Sequence, residues 1–586
     1  MLNMKMMVAV ILLSIISLPL FNKFLASRRQ VADLLVTNGS IYTSDSSLPF
    51  ADSMAVGNGR ILGIGNYSSL EALAGYQTQY LNLEGRIVLP GFIDSHVHFL
   101  PAGLQMARVE LRQADTKEKF IEIVKAAATN MEHGTWILGG GWNNDFWGGK
   151  LPMGTWIDDI TENNPVWLSR MDGHMGLANS LALKIAGVTK KTEDPIGGTV
   201  VRNTGGEPTG LLIDSAMKLV LSCIPEVSKD DKREALDRAS NLALKRGVTT
   251  VVDFGRYFPG ASVELPWEDL TDVYRWADIS GKLKIRVCLF FPMRTWSRLS
   301  CSLVVVCRVE QPGVTMKSYN YKTGRKLSQR IYLGGVKDFF DGSLGSSSAL
   351  FYQAYAEEPH NYGLQVTNID DLFNSTVSSD KSGLQVAIHA IGDRANGMIL
   401  DLYNSVVATN GMRDRRFRIE HAQHLAPGAA AKFGQQHVVA SVQPDHLLDD
   451  AESAIKKLGL DRAQEGSYMF KSILDGGAVL AFGSDWPVAD INPLSSIKTA
   501  MKRIPPGWKN GWITSERISL PEALTAYTIS AAEACFLDKD VGSLSVGKMA
   551  DFVVLTVNSS ESFAEHGSAS IAATYVGGRR AYFQHI

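Results

Sequence analysis

A chain of 586 residues is long enough for a large core or several domains. Its net charge of −2, with 45% apolar and 20% charged residues and no basic stripe, argues against a nucleic-acid partner. Five cysteines, odd in number and never in Cys-x-x-Cys spacing, argue against a disulfide framework and a zinc ribbon.

Seventeen uncharged residues rich in Ile, Leu and Val separate Lys5 from Lys23. That is short for a membrane span and long for a signal-peptide core. Lys23, Arg28 and Arg29 follow it, against Lys5 before it. The positive-inside rule then predicts a signal anchor over residues 1–29, a transmembrane helix holding the protein to the endomembrane continuum of ER and nuclear envelope. The catalytic domain would face the cytosol; a luminal or secreted placement stays open. Asn-x-Ser/Thr sites at Asn38, Asn66, Asn374 and Asn558 are no more than chance supplies, and decide nothing.

From Ala32 to about Asn82 the pattern is short and β-like. Asp33–Val36 and Ile41–Thr43 flank Asn38-Gly39, and Ser53–Val56 and Arg60–Gly65 flank Gly57-Asn58-Gly59; each pair reads as a hairpin. At the far end Phe552–Leu555 and Ala573–Val576 are again strand-like. One β-sandwich assembled from residues 30–86 and 538–586 accounts for both ends.

The middle, residues 87–537, alternates strands and helices. Buried-type strands end at His98, Asp253, Val287, Lys337, His389, His421, Val442 and Gly483, and helical periodicity is plainest from Lys232 to Lys245. Eight β/α units predict a closed (β/α)8 TIM barrel, α/β in class, with functional side chains at the C-terminal strand ends. An insertion at about 136–225 would shape the pocket. Residues 300–323 put a β-branched run where a barrel helix belongs.

Candidate ligands sit at those strand ends. His96 and His98, two apart on a strand, project to one face and can grip an ion together. Alone, such a pair is more often two polar residues on a half-exposed strand. Lys337, His389, His421 and Asp485 recur at the ends of other strands, which turns the balance towards a metal site. Asp172 and His174 in the insertion either orient substrate or belong to a loop network. Trp142 either lines the pocket or packs, and Asp341 either binds substrate or caps a turn. His424, three residues after His421, reads as support for the site. The chain has no Gly-x-Ser-x-Gly, Walker loop or His-Glu-x-x-His.

The set resembles the amidohydrolase superfamily: His-x-His on strand one, Lys on four, His on five and six, Asp on eight. The runs Gly335-Val336-Lys337-Asp338-Phe339-Phe340-Asp341-Gly342, His389-Ala390-Ile391-Gly392-Asp393 and Arg418-Ile419-Glu420-His421-Ala422-Gln423 are similar to its YtcJ-like branch, which includes N-substituted formamide deformylases. Asp172-Gly173-His174, Gly141-Trp142-Asn143 and Ser441-Val442-Gln443-Pro444 fit that branch too.

The resemblance implies a hydrolase of non-peptide C–N bonds, amide or formamide-like, in a small-molecule substrate. His96 and His98 would hold one metal with Asp485 nearby, and His389 and His421 a second; zinc is the default for one or both ions. Lys337, if carbamylated, would bridge them. A metal-activated hydroxide would be the nucleophile, with Asp485 moving the proton. The alternative is a regulatory protein of the same fold that works through partners, in light signalling. Oligomerisation is left open.

Overall fold

The computed structural model describes residues 30–300, 325–559 and 569–584. The expected membrane segment lies outside the described residues, as does the 300–323 stretch beyond Ser300. Among the described residues no helix is long and apolar enough to cross a membrane. Nothing described supports the expected anchor, a correction that also removes the ground for the endomembrane location and the cytosolic orientation.

Eight parallel strands form the central sheet: β1 (Phe92–Val97), β2 (Val248–Asp253), β3 (Arg286–Pro292), β4 (Ile331–Phe339), β5 (Val386–Ala390), β6 (Arg418–His421), β7 (Val439–Val442) and β8 (Leu480–Phe482). They pair in chain order from β1 to β8. Just beyond the end of β8, a parallel bridge from Val97 to Trp486 brings the sheet nearly into a closed barrel. There Asp485 N donates to His96 O at 2.7 Å and His98 N to Trp486 O at 2.9 Å. Every residue of these strands is buried, which is why most read as continuous apolar runs rather than alternating ones.

The helices return the chain between strands. Lys229–Lys245 starts where the Ser228 hydroxyl accepts from Asp231 N, and buries Ala235, Leu236, Ala239, Ala243 and Leu244 along one face. Its closest neighbour is Phe99–Gln105, the helix that follows β1. At that contact a Cβ on Gly103 would collide with the Ala235 carbonyl. Only glycine lets the backbone of the first turns after His98 sit so tightly on the next helix.

Two further sheets join the chain ends. One has the order Arg60–Gly65, Ser53–Gly57, Leu34–Thr37, Gln79–Asn82. The other mixes both termini: Arg579–Phe583, Ile571–Val576, Phe552–Leu555, Ile87–Pro90, Ser40–Tyr42, Phe50–Ala51. Leu34, Val36, Met54 and Val56 pack with Phe552, Val554 and Tyr575 between them. The Ser53–Arg60 hairpin forms as expected. The Asp33–Thr43 hairpin does not. Asn38 turns with φ 56°, and the strands on either side enter different sheets, because their apolar residues fill opposite sides of the sandwich core.

The insertion is a third sheet, beginning earlier than its composition suggests. Its order is Gly198–Arg202, Pro208–Asp214, Met175–Ala178, Val166–Arg170, Ile137–Trp142, Val109–Glu110. Arg170, Asp172, His174 and Asp214 lie along one end of it.

Candidate metal centre

His96 ends in the barrel interior on β1 and His98 follows the strand; Lys337 lies on β4, His389 on β5, His421 at the end of β6 and Asp485 beyond β8. Two of these backbones are special. His421 has φ 76° and Asp485 φ 55°, left-handed conformations that cost side-chain-bearing residues about 1–3 kcal/mol. Both bends aim a side chain inward at a strand end instead of continuing the strand.

The histidines share one pattern, set by what holds their outer nitrogens. His96 Nδ1 donates to Glu420 Oε2 (2.7 Å), His98 Nδ1 to the Gly255 carbonyl (2.7 Å) and His421 Nδ1 to Gln443 Oε1 (2.8 Å). His389 is turned the other way, with Nε2 donating to the Gly342 carbonyl at 3.1 Å. These partners accept, so each ring keeps its proton on the outer nitrogen and presents a lone pair inward.

The inward atoms lack partners. His96 Nε2, His389 Nδ1, Lys337 Nζ and Asp485 Oδ1 are buried without a hydrogen bond. Asp485 Oδ1 stands 3.4 Å from His96 Nε2 and 3.7 Å from His98 Nε2. Ligand atoms of these three residues all lie within 4.8 Å of one another, so one ion can touch all three.

Burial sets the charges. It drives His96, His389 and His421 well below the ordinary imidazole value and His98 down to about 4, with Lys337 adding to the effect. It also pushes the Asp485 carboxyl up and the Lys337 ammonium down. Lys337 Nζ meets only ring faces, 4.4 Å from the Phe254 centroid and 4.6 Å from Phe339. Neutral imidazoles, orphaned lone pairs and a carboxylate short of counter-charge form a donor set that fits a divalent cation.

Behind the first pair stands a fork. Arg418 Nε donates to Glu420 Oε1 at 2.7 Å, and Arg418 Nη2 to the Ser95 carbonyl (2.7 Å) and Ser441 Oγ (2.9 Å), all fully buried. Glu420 and Gln443 were within motifs legible in the sequence, but their roles were not.

Over the site lies a cavity of about 50 Å³, lined among others by Asn143, Arg170, His174, Gln423, His446 and Asp449. His174 borders it, with Nδ1 donating to Asp214 Oδ1 at 2.5 Å and its ring 4.9 Å from that of His389. Asp172 borders it too, but its oxygens are engaged by Arg170 Nη1 (2.8 Å), Ser343 Oγ (2.5 Å) and Ser346 Oγ (3.1 Å), fastening the insertion to the loop after β4. Arg170 and Asp214 carried no motif and were missed. Two other residues stand in the second of the roles that the sequence left open to them. Trp142 is fully buried in the insertion core, its indole N–H donated to the Leu168 carbonyl at 2.8 Å and its ring stacked on Trp147. Asp341 is fully buried and accepts from Leu350 N, Ile391 N and Gly392 N, tying together the loops after β4 and β5 as a turn-capping carboxylate does.

The family model for the amidohydrolase family matches residues 79–582. The chain is 61% identical to Protein LONG AFTER FAR-RED 3 of Arabidopsis thaliana, over 98% of this chain and 97% of that one. It is 26% identical to the N-substituted formamide deformylase of Arthrobacter pascens, over 90% of this chain and 94% of that one. An uncharacterized metal-dependent hydrolase from Pyrococcus furiosus has a structure similar to this one, with TM-score 0.66 at 25% identity, covering 89% of this chain and 98% of that one.

Proposed function

The chain belongs to the amidohydrolase family, and from that premise we propose that it is a metal-dependent hydrolase of a non-peptide C–N bond, amide or formamide-like, in a small molecule. The observation that carries the reading is the convergence of His96 Nε2, His98 Nε2 and Asp485 Oδ1: both rings are held from behind through Nδ1, and His96 Nε2 and Asp485 Oδ1 are buried without a hydrogen bond. In this reading His96, His98 and Asp485 hold one divalent ion and His389 and His421 a second, with zinc suited to the nitrogen donors. Bound there, such ions polarise a carbonyl and acidify water to near-neutral pKa.

The chain's own groups do the rest. Asp485, flanked by both histidine pairs, takes a proton at its carboxylate and returns it to the leaving nitrogen. Lys337 is a buried amine whose ammonium form is disfavoured, the state in which an amine can add CO₂ and become a carbamate. His174 faces the substrate across the cavity. At about 30 Å³ per water, that cavity has room for fewer than two waters, which suits only a small acyl group. The family relationship to a formamide deformylase supports the same bond type.

The test is metal analysis of protein purified without chelators, with hydrolysis of a panel of N-substituted formamides and small amides. Hydrolysis that falls at least a hundredfold in His98→Ala and Asp485→Asn supports the reading. Less than about one tenth of an ion per chain, or turnover indifferent to both substitutions, refutes it. A regulatory role has in its favour the name of the Arabidopsis relative. Biological function retained by both variants would favour it.

A further inference from the structure

Another imidazole reaches the same centre from an element outside the expected ligand set. His446 opens the helix His446–Leu458, three residues after Gln443 at the exit of β7. It is buried, and its Nε2 has no hydrogen-bond partner. Like His96 Nε2 and His389 Nδ1, it is a buried ring nitrogen left without a partner.

Its position is held firmly. The preceding residue, Asp445, accepts from Ser496 Oγ (2.7 Å) and Thr499 Oγ1 (2.5 Å), pinning the start of the helix to a neighbouring one. The His446 ring lies nearly parallel to that of His421, 15° between planes and 6.3 Å between centroids. Ligand atoms of His421, His446 and Asp485 all lie within 4.8 Å of one another. Asp485 turns its two oxygens to different histidines: Oδ1 lies 3.4 Å from His96 Nε2 and 3.7 Å from His98 Nε2, while Oδ2 lies 4.0 Å from His421 Nδ1, the nitrogen that Gln443 holds.

We propose that His446 is a protein ligand of the ion on the His421 side, completing with His421 and Asp485 a second site that shares Asp485 with the first. One short stretch then has two tasks. Gln443 orients His421 from behind, and His446 supplies a further nitrogen from the front. The proposal rests on the metal reading above but is separable from it.

The test uses the full chain, freed of metal and titrated with zinc against a chromophoric chelator. His446→Asn is the informative variant, because its amide keeps a polar group near the position of Nδ1 while Nε2 is deleted. Wild type is expected to show two tight sites. His446→Asn is expected to weaken one of them by about tenfold or more, and His98→Ala the other. Two tight sites of unchanged affinity in His446→Asn overturn the role of His446 and leave the metal reading standing. No tight site in wild type overturns both. Zinc anomalous scattering from wild-type crystals gives a second readout that does not depend on how the variant folds. A peak about 2.0–2.1 Å from His446 Nε2 supports the assignment, and peaks only beyond about 3 Å overturn it.

Discussion

Glu420 Oε2 lies 2.7 Å from His96 Nδ1, while the Arg418 guanidinium grips the same carboxylate through Nε to Oε1 and Nη2 to Oε2. The side chains of all three are almost wholly removed from solvent. One carboxylate thus fixes the tautomer of a candidate ligand and balances a buried cation.

Glu420→Gln should disturb both. Metal affinity is expected to fall about 10- to 100-fold, as for other partners that orient a ligating histidine. Leaving Arg418 without its counter-charge should cost about 3–5 kcal/mol. Zinc titration measures the first and denaturant unfolding of the metal-free protein the second; unchanged values in both would refute the account.

Chelation should lower the thermal midpoint of the protein, and zinc should restore it. An ion present at 100 times its dissociation constant stabilises the folded state by about 2.7 kcal/mol. Because the inward atoms of His96 and Asp485 have no protein partner to fall back on, His98→Ala should show a smaller zinc-dependent rise in a melting scan.

Gly342 is pressed on one side by the insertion while its carbonyl holds His389. An added Cβ would lie 2.5 Å from Asp214 Oδ2 and closer still to Ser348 Oγ, and the displaced carbonyl would release His389 Nε2. Gly342→Ala should destabilise by about 1–3 kcal/mol and reduce hydrolysis at the same time. A variant as stable and active as wild type would show that the packing there is slack.

Stability should also carry a signature of Asp450. Burial pushes this carboxyl up to about 7, against hydrogen bonds from Tyr468 and Gln423, with Asp449 and Asp172 raising it and Arg170 lowering it. A carboxyl with a raised folded-state pKa binds its proton more tightly when folded, so its contribution is present at low pH and lost as pH rises from about 4 to 7. Asp450→Asn cannot ionise. Its stability deficit relative to wild type, measured by denaturant unfolding, should therefore be smaller at pH 8 than at pH 5. An equal deficit at both would remove Asp450 from the titration.

Much of the architecture was legible because its signals are local. A buried parallel strand must be a short apolar run, and eight such runs could be counted; His96, His98, Lys337, His389, His421 and Asp485 stood out as polar residues at their ends. Where the signal was local but ambiguous, the reading split. Ser53–Gly65 is the hairpin it looked like, whereas the strands around Asn38 part into two sheets. Trp142 followed a glycine run as a pocket aromatic would, yet its indole N–H faces the Leu168 carbonyl inside the insertion.

The order of strands and the identity of the inward-facing ligand candidates were determined by the sequence itself, since periodicity and burial act between near neighbours. Tertiary structure alone decided what stands behind and beside those ligands. Glu420 reaches His96 across 324 residues of chain, and Asp214 reaches His174 across 40. Asp485 is brought against His96 and His98 by near-closure of the barrel. Such contacts leave no periodic trace in a single chain, because they follow from how eight strands bend round one axis and not from what any one strand contains.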